Sequence, residues 1–254
     1  MKTITRIKNV IQVSLDPEMS TEHDRYVRHL SDVIFDLTRG LYRYEVYRCY
    51  DLNQPDFPEE KLFEEFDLHT PLQDRKADEV WVFGSSGQSR IYMGGSHALW
   101  LGDNPLQGTA NIFRRFPVMR FGPLPLLKVY AKRVENTMYQ VYRGYPPAKN
   151  MWEHFIQTAR STSGVAGCGS VTYPPNGVLE GYSSDLTFLS SCEDWLFNYP
   201  EFKNRVKFID SGEWGGTLDG YLKWWLGHIP HGLHKTDGVH DNWWHYVMNL
   251  DLIK

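Results

Sequence analysis

EVWVF (Glu79–Phe83) is apolar almost throughout and runs into GSSG (Gly84–Gly87). A short unalternating apolar run of this kind fits a central strand covered on both faces. Upstream, Val10–Leu15 (VIQVSL) reads as a strand ended by Asp16–Pro17, and Arg43–Tyr50 (RYEVYRCY) alternates as another. Between those two, Tyr26, Leu30, Val33, Ile34 and Leu37 recur at helical spacing, and Gly40 supplies the stop. A turn at Asn53–Pro58 then leads into a helix that Glu59 and Glu60 open and that buries Leu62, Phe63 and Phe66. Strand, helix, strand, helix, strand predicts a mostly parallel sheet with right-handed crossovers.

Downstream of the central strand, Gly84–Gly95 reads as a loop, either plain surface or a ligand loop at the carboxyl end of the sheet. It matches neither a P-loop nor a nucleophile elbow. Arg114–Phe121 (RRFPVMRF) is a fourth strand. Pro123 and Pro125 open a long helix with Leu127, Tyr130, Val134, Met138 and Val141 on one face. A shorter helix over Asn150–Arg160 is anchored by Trp152, Phe155 and Ile156. From Ser161 the pattern becomes loop-rich, with a strand at Arg205–Asp210 and a helix at Leu218–Gly227 capped by Thr217. The expected fold is a single α/β domain over residues 1–254: a central, mostly parallel sheet with helices on both faces (1–160), then a loop-rich Trp/His C-terminal layer (161–254). No linker-like run divides it.

Composition narrows the function. The 254 residues are 41% hydrophobic and 23% charged, with a formal net charge of −4. That charge argues against a sequence-independent grip on nucleic acid, and no apolar run is long enough to span a bilayer. Aromatic residues reach 15%, including nine Trp and fifteen Tyr, enough to fill a core or to stack on a ligand such as a sugar ring. Cys49, Cys168 and Cys192 fit reduced thiols or one disulfide with a spare. MKTITRIKNVIQVSLDP reads as a first strand rather than a signal peptide, so the chain as given is expected to be cytoplasmic, or secreted if a leader precedes it.

GCGSVTYPPN (Gly167–Asn176), CEDW (Cys192–Trp195), SGEWGG (Ser211–Gly216) and WWLGHIPHGLHKTDGVHDNWWHYV (Trp224–Val247) together resemble an uncharacterised family of α/β domains, many of them secreted. EVWVFG and the helix ending in KRVE (Lys132–Glu135) fall in the same order, so the resemblance spans most of the chain. It implies no established activity. Related chains carry Glu, Asp and His on the helix corresponding to Pro123–Glu135, and a His where Thr172 stands. Here that helix offers Leu126, Lys128 and Lys132, with only Glu135 retained.

Candidate chemistry concentrates in His228–Tyr246. His228 and His231, with Asp237 following, are ligand types for a divalent metal such as zinc, although Pro230 interrupts the helix. The alternative is histidines packed into an aromatic core. Glu213 and Asp194 sit beside tryptophans, where desolvation raises a carboxyl pKa toward general-acid duty; otherwise each caps a turn. Asn176 and Asn242 either donate to substrate or close turns, Asn242 capping the last helix. Cys168 with His231 or His97 is a further nucleophile pair.

The leading expectation is a hydrolase-like enzyme on a small-molecule, glycan- or peptide-type ligand, with no nucleic-acid or membrane partner. His228 and His231 would act as base or metal ligands and Glu213 or Glu135 as acid. Asn176, Asn242, Trp224, Trp243 and His97 would hold the substrate. The alternatives are a non-catalytic carbohydrate- or protein-binding domain and a structural or assembly subunit.

Overall fold

The computed structural model describes residues 4–16, 19–85, 87–122, 124–161 and 164–254. Pro17, Ser86 and Pro123, which enter the expectations above, lie outside them. The chain forms two compact units, Met1–Arg133 with Met248–Lys254, and Val134–Val247.

The first unit holds β1 (Arg6–Ser14), α1 (Ser20–Leu37), β2 (Tyr42–Asp51), α2 (Leu62–Glu65), α3 (His69–Gln73), β3 (Glu79–Phe83), β4 (Arg90–Gly94) and β5 (Phe116–Phe121). The five strands form one sheet in the order β2-β1-β3-β5-β4. All neighbours are parallel except β4, which runs antiparallel to β5. β3 and β5 are buried along their whole length, and apart from Glu79 and Arg120 their sequences are apolar, as strands covered on both faces should be. Ile11, Val13, Val80, Val82 and Val118 on one face pack with Leu62 and Phe63 of α2, Leu72 of α3 and Leu68 just before α3.

The opposite face carries Glu79 and Trp81. Glu79 is buried and meets Arg133 through two hydrogen bonds, at 2.6 and 2.8 Å. The same carboxylate accepts from Tyr44 Oη and Trp81 Nε1, both at 2.9 Å. Two charges this deep persist because the guanidinium meets the carboxylate at two points and the carboxylate accepts two further hydrogen bonds.

One expectation needs correction. Gly84–Gly95 is not loop throughout: RIYMG forms β4, whose Ile91–Met93 are buried between β5 and a following segment. The glycines at both ends hide a β-forming interior. At Gly95, φ is +99° and a Cβ would lie 1.7 Å from the Arg114 carbonyl oxygen, so the turn demands glycine.

α4 (Leu126–Tyr142) leads into the second unit, which holds α5 (Met151–Phe155), β6 (Phe188–Ser190), α6 (Cys192–Phe197), β7 (Lys207–Ile209), α7 (Leu218–Gly227), β8 (His231–Thr236), β9 (Val239–Asn242) and α8 (Trp244–Met248). Its centre is aromatic. Trp152 meets Trp225 edge-on at 6.1 Å, Phe155 meets Trp195 at 5.3 Å, and Trp243 meets Tyr199 at 5.3 Å. Edge-to-face geometry is what ring quadrupoles favour. α5 is much shorter than the expected Asn150–Arg160 helix, because the chain turns after Phe155 to meet the Gly167 segment.

β8 and β9 form a hairpin that periodicity did not reveal. Asp237 (φ +50°) and Gly238 (φ +85°) occupy its two-residue turn, the left-handed pair that a tight hairpin needs.

Candidate functional site

The residues expected to act are mostly engaged in holding the second unit together. His228 ends α7, is 8% exposed, and donates from Nδ1 to the Trp224 carbonyl at 2.7 Å. Its ring lies 4.2 Å from that of Trp224, and burial pulls its pKa down from 6.5 to about 4. His231 is half-buried, 6.4 Å from the Trp244 ring. Asp237 sits at the exposed hairpin tip, 3.3 Å from Lys149 Nζ. His228, His231 and Asp237 are therefore not gathered: among the described residues no group of three or more His, Cys, Asp and Glu is placed to hold a metal ion.

Glu213 pairs with Lys207 at 2.9 Å. Glu135 is half-buried and accepts the Val171 amide at 3.1 Å. Asp194 is buried and accepts from Asn198 Nδ2 and from the amides of Lys203 and Arg205, closing a loop. Asn176 closes a turn in the same way, accepting from the Val178 amide and donating to the Gly181 carbonyl. Asn242 Oδ1 accepts the Trp244 amide at the start of α8. Trp243 is completely buried. Trp224 is half-buried against Trp214 and Tyr221. In the first unit, His97 is exposed at φ +55° and its carbonyl accepts from Arg115.

Cys49, Cys168 and Cys192 are free thiols. Burial pushes the Cys168 thiol well above its ordinary range, the opposite of what activates a nucleophile.

An open site does exist in this unit, and the Gly-Cys-Gly motif builds it. Gly167 passes so close to α5 that a Cβ would lie 2.4 Å from the carbonyl oxygens of His154 and Phe155. Gly169 has φ +70°, and a Cβ there would meet the Tyr173 carbonyl oxygen and the Pro175 nitrogen at 2.6 Å. Only glycine allows either approach. The loop's carbonyls are pinned from α7: Tyr221 Oη donates to Ser170 O at 2.8 Å, and Trp225 Nε1 donates to Gly169 O at 2.8 Å. Ser170 and Tyr173 then clasp each other through two hydrogen bonds, at 2.7 and 3.0 Å. The result sets Tyr173 beside the end of α5.

Between them opens a cavity of about 470 Å³ lined by Glu153, Ile156, Gln157, Thr158, Ser161, Ser170 and Tyr173. Tyr173 is 45% exposed. Asn150 caps α5 by accepting the Glu153 amide, which fixes the base from which Glu153 projects. Among the described residues the lining carries one carboxylate, one amide and several hydroxyls, and no cation. Tyr173 and Asn176 share the YPPN segment, whose turn chemistry marks the amide but carries no signal that the ring is exposed.

No family model, no curated protein and no solved structure matches this chain, so no family is identified.

Proposed function

We propose that this protein binds carbohydrate in the Glu153–Tyr173 cavity of its second unit. The observation that carries this reading is the exposed ring of Tyr173 beside a polar cavity of about 470 Å³. That volume lies within the range of small-molecule sites. A sugar ring has an apolar face that stacks on an aromatic side chain and a rim of hydroxyls that both donate and accept. Glu153 accepts from such hydroxyls, and Gln157, Thr158, Ser161 and Ser170 do both. A phosphate or carboxylate ligand is disfavoured, because the lining offers a carboxylate and no cation. The reading is one of binding rather than hydrolysis: among the described residues Glu153 is the lining's only acidic side chain, and glycoside hydrolysis usually needs two.

The test is saturation-transfer NMR and calorimetry with a panel of neutral mono- and oligosaccharides. Binding that Tyr173→Ala weakens by about tenfold, with Glu153→Gln also weaker and the circular dichroism spectrum unchanged, is the expected outcome. No binding across the panel, or binding indifferent to both substitutions, would sink the proposal.

A further inference from the structure

The sheet of the first unit has two edges, and they are treated differently. At the β4 edge, the Asp103 amide donates to the Ile91 carbonyl and the Ile91 amide to Asp103 Oδ2, while the Leu106 amide donates to the Met93 carbonyl. That edge is covered. At the other edge, α1 covers only half of β2. Ser31 Oγ accepts from the Tyr44 amide at 3.0 Å and donates to the Tyr44 carbonyl at 2.8 Å. Thr38 Oγ1 does the same for Tyr42 at 3.1 and 3.4 Å. Each hydroxyl replaces the missing neighbour strand at one residue.

Beyond Tyr44 the capping stops. The parallel ladder alternates, with Arg6 N bonding Leu41 O at its start and Leu52 N bonding Ser14 O at its end. With the bulge between Val46 and Arg48, this pattern turns the main-chain N–H and C=O groups of Val46, Cys49 and Asp51 outward. Among the described residues nothing pairs with them. Val46 and Cys49 line a groove of about 560 Å³ whose walls include Asp24, Val27 and Arg28 of α1 and Arg43 and Glu45 of β2.

We propose that this groove receives an extended segment of another polypeptide, which adds to the sheet as a sixth strand beside β2. A row of unpaired N–H and C=O groups is complementary to one partner above all, a second extended backbone. From Val46 to Asp51 the open edge accommodates about six residues of ligand at roughly 3.3 Å each. Val27 and Val46 offer apolar contact for one side of that strand. Arg43 is paired with Asp32 at 2.8 Å, and Arg28 Nε donates to the Asp24 carbonyl. Asp24 and Glu45 in the groove therefore outnumber Arg28, its remaining cation, so a ligand carrying basic side chains is favoured. A second copy of this chain fits poorly, because its own β2 edge carries α1 alongside, and two flanking helices obstruct edge-to-edge approach.

The test selects random linear peptides displayed on phage against the full chain, then titrates an enriched synthetic peptide. Enriched peptides should alternate apolar and polar residues, include Lys or Arg, and slow amide exchange at Val46, Cys49 and Asp51. Cys49→Pro removes an outward N–H without touching the β1–β2 ladder, and should weaken binding at least about tenfold, whereas Cys49→Ser should not. Methylating alternate peptide nitrogens should abolish binding to the unaltered protein, a readout independent of whether Cys49→Pro folds. Failure to enrich any peptide, or binding insensitive to both changes, would overturn the proposal. So would protection of the same amides by raising protein concentration alone, which would assign the edge to a second copy.

Discussion

His228 illustrates how one side chain ties stability to pH. Its folded pKa is about 4 against an ordinary 6.5, so between those values the unfolded chain holds a proton that the native one does not. Stability contributed by the neutral, buried ring is therefore full above about pH 6.5 and lost as the pH falls toward 4, by up to about 3 kcal/mol. Denaturant melts across this window should show a shallower pH dependence in His228→Gln than in the native sequence. His23, also buried and shifted down, leaves a residual slope. Gly169 makes a second residue-scale prediction. Gly169→Ala places a methyl group 2.6 Å from two backbone atoms in a left-handed conformation. It should cost about 1–3 kcal/mol by thermal or chemical melts and disturb Tyr173, lowering saccharide affinity as well. The packing of His228 among aromatic rings was one of the two readings its sequence allowed, whereas the role of Gly169 was not legible: a motif shows that glycine recurs, not which carbonyl it must approach.

At the scale of elements the sequence was more informative. VIQVSL, RYEVYRCY and EVWVF became β1, β2 and β3, and Leu218–Gly227 became α7 with Thr217 accepting the Gly220 amide as its cap. These succeeded because propensity and burial agree along their lengths. β4 was missed because flanking glycines outweighed three β-formers. The β8–β9 hairpin does not show as alternation, because polar residues fill most of both strands, although the Asp-Gly pair at 237–238 is itself a strong hairpin signal. The candidate site was harder still. Its carboxylate, amide and hydroxyls come from a short helix, a turn and a glycine-rich loop, and no period links them. The buried Glu79–Arg133 pair, which ties β3 to α4 within the first unit, yields a prediction of its own. Glu79→Ala should destabilise the protein by about 3–5 kcal/mol, because it strands a guanidinium away from water. Amide exchange along β3 is the direct measurement, and unchanged protection there would show that the pair carries no such weight.

For the molecule as a whole, the net charge of −4 predicts no retention of duplex DNA at physiological salt; gel-shift measurements that found it would contradict the charge argument. The aromatic wealth of the sequence divides unevenly between the two units. Trp81 and Trp100 lie in the first, and the other seven of the nine tryptophans, Trp152, Trp195, Trp214, Trp224, Trp225, Trp243 and Trp244, lie in the second. Intrinsic fluorescence is thus chiefly a signal from one half of the chain. An emission change on adding a sugar reports on the second unit, whereas the first speaks chiefly through the buried Trp81, whose ring lies 4.8 Å from that of Tyr44 in β2. An investigator watching only tryptophan light would take one unit's behaviour for that of the entire protein.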